Sequence, residues 1–173
     1  MSEVMDQTQA GYLLQGLNAR ISEVVPEKLH HNVECWMEDV ELVLSPKNQG
    51  QGRDIGKLFY TAVFSFERFP FKKFQPAVVM ASVMGWLMDF DDFREKHELK
   101  DPVCDVEKES DDTAIMTIEI EFVEPLMVVK DPNGLIQWDG LTWSLAPYEI
   151  WVAENIDIFA ANNPAATVSN DQG

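Results

Sequence analysis

Cations are scarce in this chain: 13 Lys and Arg stand against 30 Asp and Glu, a formal charge of -17 over 173 residues. Binding to nucleic-acid phosphates depends on Lys and Arg displacing counterions, so this balance disfavours a direct, sequence-specific nucleic-acid partner. Cysteine is almost absent. Cys35 and Cys104 lie far apart within apparent strands, which fits reduced, buried thiols in a reducing cytoplasm and not a disulfide framework. No stretch approaches the roughly 18 apolar residues of a membrane span. The first residues carry Glu3 and Asp6 without an apolar h-region, so neither a secretory signal nor a membrane partner is expected.

Recognisable chemistry is missing too. There is no P-loop, no GxGxxG and no serine in a nucleophile elbow, so no catalytic residue and no cofactor is assigned. His30, His31 and Cys35 are near one another, but a structural zinc site wants four ligands, and His97 and Cys104 have no spacing that pairs with them. Asp89, Asp91 and Asp92 lack the glycine and twelfth-position glutamate of a calcium loop and are expected to be a solvated helix end.

What the chain does have is a well-patterned framework. With 46% hydrophobic residues it is long enough for one well-buried domain. An amphipathic helix is expected from about Asp6 to Glu23, weakened by Gly11 and Gly16 and so in need of a surface to dock on. From Asn32 to Leu44 the alternation changes phase at Glu38-Asp39, predicting two short strands or one bulged strand. Ser45 to Gly56 reads as an exposed loop. The run Lys57 to Phe69 predicts a central strand with Leu58, Tyr60, Ala62, Phe64 and Phe66 on one apolar face.

A proline-started helix from Phe74 to Phe93 follows, with Val79, Val83, Trp86, Phe90 and Phe93 as its stripe against that strand. Val103 and Val106 mark a short strand. Ala114 to Val123 alternates cleanly, with Ala114, Met116, Ile118, Ile120 and Phe122 inward. The turn Asp131 to Gly134 precedes a hairpin of Leu135 to Trp138 and Leu141 to Leu145 about Asp139-Gly140. The expected fold is α+β: a single domain over residues 1–159, with residues 1–25 as its N-terminal helix and a mixed, mostly antiparallel sheet against one or two helices. A C-terminal hairpin extension belongs to it, and residues 160–173 form a flexible tail.

The strand ending in FSFERF, the helix with Gly85-Trp86-Leu87 at its centre, and the strand TIEIEF followed by VEPLMVV resemble the tail completion protein R family of P2-type contractile phages. The resemblance covers about Ser22 to Pro147, and Glu124 takes the place of the glutamate that ends the family's late strand. Arg53, the acidic helix end and the longer C-terminal tail have no counterpart in it. The resemblance implies a structural, non-enzymatic tail terminator: a homohexameric ring that caps the tail tube at the head-proximal end of the virion and offers the head-joining surface, assembled in the host cytoplasm. Implied partners are further copies of itself, the tail tube protein, and sheath and neck proteins. Six copies at -17 each carry -102, so ring assembly is expected to depend on salt or on the tube as template, and a carboxylate-rich channel would repel DNA.

The candidate assembly interface comprises Pro46, Lys47, Arg53 and Asp54 in the loop, with Trp138, Trp143 and Trp151 in the C-terminal segment. Those tryptophans are satellite core or subunit interface, with core the favoured reading; Trp36 and Trp86 are expected in the main core. The competing function is a monomeric acidic binding module that occupies a basic partner by charge complementarity.

Overall fold

The computed structural model describes residues 11–45 and 54–146. Among these the elements are α1 (Tyr12–Val24), a 3-10 helix (Glu27–Asn32), β1 (Val33–Leu44), β2 (Asp54–Phe69) and α2 (Pro76–Phe90), then α3 (Phe93–Lys96), β3 (Val103–Lys108), β4 (Ala114–Lys130), β5 (Ile136–Trp138) and β6 (Leu141–Leu145). The class is α+β, as expected, and β1 with β2, β3 with β4, β4 with β6 and β5 with β6 all pair antiparallel. The chain divides into two compact units, one with residues 11–45 and 56–125, the other with residues 54–55 and 126–146 of the described chain.

In the first unit β2 lies between β1 and β4, and β3 pairs with β4. The period-two faces are as the sequence predicts: Leu58, Tyr60, Ala62, Phe64 and Phe66 of β2 and Ala114, Met116, Ile118, Ile120 and Phe122 of β4 are all buried. The change of phase in β1 is a bulge. Glu38 pairs with Thr61 and Glu41 with Phe59, so Asp39 and Val40 together stand opposite Tyr60, with Asp39 at φ 51. Beyond the bulge Leu42 and Leu44 return to the face that Val33, Cys35 and Met37 occupy before it.

Trp86 joins the helices to the strands. Its ring lies 6.4 Å from that of Phe122, edge to face, and against the backbone of Gly16 in α1. A Cβ at residue 16 would sit 2.8 Å from Trp86 Cζ2, so the glycine that weakens α1 as a helix is what lets α1 settle on α2. Gly11 is not within the helix at all; it is the N-cap, at φ 84.

Several expectations need correction. β2 begins at Asp54, so the expected loop gives up its last residues to the strand. α2 ends at Phe90, whose ring is half exposed because the helix runs off the edge of the buried stripe there. Trp36 is 39% exposed: it pairs with Val63 on the face away from the helices, and its indole N–H donates to Glu38 Oε1 at 2.8 Å. Both cysteines are free, but Cys104 lies in a fully exposed strand and is not a buried thiol.

The second unit holds the expected hairpin. β6 pairs with the end of β4 through Val128–Leu145 and Lys130–Trp143, and with β5 across Asp139-Gly140, both at positive φ as a tight type I′ turn requires. The expected tail and the segment before it lie outside the described residues.

Replacing Gly16 with Ala should lower stability by about 1–2 kcal/mol, because overpacking against Trp86 outweighs the roughly 1 kcal/mol that Ala adds in helix propensity. Urea denaturation checks this. A more stable variant would contradict the close approach.

Candidate functional site

The most constrained polar group among the described residues is Glu124, 1% exposed on β4. Its position follows from strand parity: residues 114, 116, 118, 120 and 122 all point inward, and 124 continues the series. It meets the start of α1. The N–H groups of Gly11 and Tyr12 donate to Oε1 and that of Leu13 to Oε2, while the Tyr60 hydroxyl donates to Oε2 at 2.9 Å. The Tyr60 oxygen in turn accepts the Leu14 N–H at 3.3 Å.

A helix leaves its first four N–H groups without intrahelical partners, and the first internal bond here runs from Gln15 N–H to the Gly11 carbonyl. Glu124 and Tyr60 therefore satisfy the whole set. The carboxylate also lies at the positive end of the helix dipole.

Burial pushes the Glu124 carboxyl above the usual glutamate range, against the pull of the Gly11 N–H, the Tyr60 hydroxyl, and the Leu13 and Tyr12 N–H groups. Burial likewise drives the Tyr60 phenol far above its ordinary value, helped by the charges of Glu124 and Asp91. Tyr60 thus stays protonated and available as a donor.

A second buried carboxylate makes its own ion pair. Asp91, just past α2, is 5% exposed and not part of a solvated end, whereas its neighbour Asp89 is exposed and Asp92 is much less buried. Arg94 Nη1 lies 2.8 Å from Asp91 Oδ2 and also donates to the Glu121 carbonyl, while Nη2 donates to the Lys100 carbonyl. Burial raises the Asp91 carboxyl, and Arg94 opposes the rise. One guanidinium thereby ties the turn after α2 to the backbone of β4.

Chemically, these groups are held in mutual contacts, which suits a structural lock better than turnover. Among the described residues no group of three or more His, Cys, Asp or Glu is placed to hold a metal ion. A ring nitrogen of His30 lies 2.8 Å from the Val25 carbonyl, against the exit of α1.

Of the proposed interface residues, Pro46, Lys47, Arg53 and Trp151 lie outside the described residues. Asp54 opens β2, half buried. In the second unit the Trp138 and Trp143 rings meet at a 42° tilt with centroids 5.1 Å apart, and the Trp143 indole N–H donates to the Trp138 carbonyl at 2.9 Å. Trp143 is buried and Trp138 half buried. Sequence reasoning missed the Glu124–Tyr60 lock and the Asp91–Arg94 pair, although parity alone places Glu124 and Tyr60 on the apolar face.

The model of the P2 phage tail completion protein R (GpR) family matches residues 11–147. The chain belongs to that family. The match begins at Gly11, the residue at which the Glu124 lock begins. A protein of Haemophilus phage HP1 (strain HP1c1), described as an uncharacterised 19.2 kDa protein in the rep-hol intergenic region, is 31% identical over 151 residues, covering 84% of this chain and 89% of that protein. No solved structure matches the chain. As a member of the tail completion family, the chain has a structural role in phage tail assembly and works alongside other tail proteins in the virion.

Removing the lock has a definite expected cost. Glu124→Ala should destabilise by about 2–4 kcal/mol, because several buried donors lose their acceptor at once, and Tyr60→Phe by about 1–2 kcal/mol. Urea titration of both variants measures this, and a loss below about 0.5 kcal/mol for Glu124→Ala would contradict the role assigned to it.

The pH dependence has a sign. Glu124 and Asp91 are both raised in the folded state, so the unfolded chain ionises first as pH rises, and stability falls from the ordinary carboxylate range through the raised folded values. The urea midpoint should be higher at about pH 5 than at about pH 7, and Glu124→Gln should make that fall shallower. A midpoint that rises with pH over this range would oppose it.

Proposed function

We propose that this chain caps the tail tube at its head-proximal end as a ring of six copies and presents the surface to which the head joins. Family membership carries the reading: the match to the tail completion model spans the core elements from α1 to β6. In this reading Pro46, Lys47, Arg53, Asp54, Trp138, Trp143 and Trp151 contribute contacts to neighbouring copies, to the tube protein, or to sheath and neck proteins.

The charge distribution supports a channel role. On the sheet face turned away from the helices, Glu34 and Glu38 of β1 pair with Ser65 and Thr61, and Asp105 and Glu107 of β3 pair with Thr117 and Ile115. Glu119 of β4 shares that face. A channel lined by such a surface repels phosphate, so DNA passes without adhering.

Electron microscopy of a lysate in which this gene alone is inactivated tests the proposal. The expected particles are abnormally long or uneven tails separated from filled heads. Tails of normal length joined to heads would reject the capping role and favour a monomeric acidic module with a basic partner.

A further inference from the structure

Two places on the first unit are apolar and almost free of charge. One is α2. From Phe74 to Met88 the sequence has no charged residue, and the face opposite the buried Val79, Val83 and Trp86 carries Val78, Ala81, Met84 and Met88, all exposed. Met88 is 79% exposed. A helix that is apolar all round is a helix with something on both sides, and among the described residues only the inner side is covered.

The other place is the end of β1. Among the described residues this strand is the outer border of its ladder, pairing with β2 on one side only. From Val40 in the bulge onward it exposes Val40, Leu42, Val43 and Leu44, the last at 84%, with Glu41 as the sole charge in that stretch. Native edge strands are protected by charges, Pro, a bulge or a covering element, and past its bulge this one keeps only Glu41.

We infer that the end of β1 in one copy packs on the outer face of α2 in a second copy, head to tail, and that this junction builds the ring. The inference rests on the capping role proposed above and names its subunit contact. The two patches are different elements of one unit, so neither has to meet its own copy across a twofold axis. Head-to-tail contact covers both in every copy with a single kind of interface, and such a contact closes into a ring when its rotation allows. Glu41 is the single charge across the two patches in a chain of net charge -17, so approach of a second copy there meets less repulsion than across the acidic faces. Salt should therefore promote the junction.

Two full-length variants test it: Leu42→Lys with Leu44→Lys, which blocks the strand patch, and Met84→Lys with Met88→Lys, which blocks the helix patch. Sedimentation velocity in high salt should show oligomers for the wild type and monomers for either variant alone. An equimolar mixture of the two should give dimers and nothing larger, because each pair of unlike variants retains one intact junction. That rescue also shows that both variants are folded. Wild type that stays monomeric in high salt, variants that assemble like wild type, or a mixture that forms no dimer would each overturn the inference.

Complementation separates this inference from the capping role. If inactivating the gene disturbs tail length but both variants restore it, the junction is wrong and the capping role stands. If inactivation leaves tails normal, the capping role fails whatever the oligomers do.

Discussion

A carboxylate buried in an apolar interior is costly unless donors surround it, and so is a helix start buried without acceptors. In this protein each deficiency removes the other. Glu124 accepts from the first N–H groups of α1, Tyr60 takes the remaining one, and the helix dipole favours the charge placed there. Neither partner is a comfortable buried group alone. The interaction fixes where α1 begins and which stretch of β4 it lies against, and with Gly16 seated on Trp86 it leaves α1 little freedom to slide along α2.

Other features of the unit are arranged around this contact. The bulge in β1 places two residues opposite Tyr60, so the strand changes phase at the residue whose hydroxyl completes the cap. Asp91 and Arg94 hold the turn after α2 to the backbone of β4 at Glu121, three residues before the buried glutamate. A helix layer pinned by buried polar contacts keeps its outer surface in one fixed arrangement. The family match starts at Gly11, where this contact starts.

Much of the fold was legible because period-two and period-3.6 patterns report directly on burial. The inward faces of β2 and β4, the change of phase at Glu38-Asp39, the proline-started α2 and the Asp139-Gly140 hairpin all follow from spacing alone, while the choice of a bulge over two short strands came from the pairing with β2. The polar network was harder to read because its meaning depends on partners more than a hundred residues apart: Gly11 and Glu124 meet only after the sheet has formed. Asp91 looked solvated because it sits in a run of acidic residues, and Trp36 looked buried because it is large and apolar on an alternating strand. Alternation tells which residues share a face but not whether that face is covered. The apolar outer side of α2 has the same origin, since a stripe defines the inner face of a helix and says nothing of the outer one.

The most direct test of the account is hydrogen exchange at the amides of Gly11, Tyr12, Leu13 and Leu14, followed residue by residue in the wild-type chain. If Glu124 and Tyr60 hold the start of α1 in the core, these four amides exchange as slowly as those in the middle of β2 and β4, although they belong to a helix end that normally frays. Exchange at the rate of an exposed terminus, with β2 and β4 still protected, would show that the helix is not anchored by the buried carboxylate.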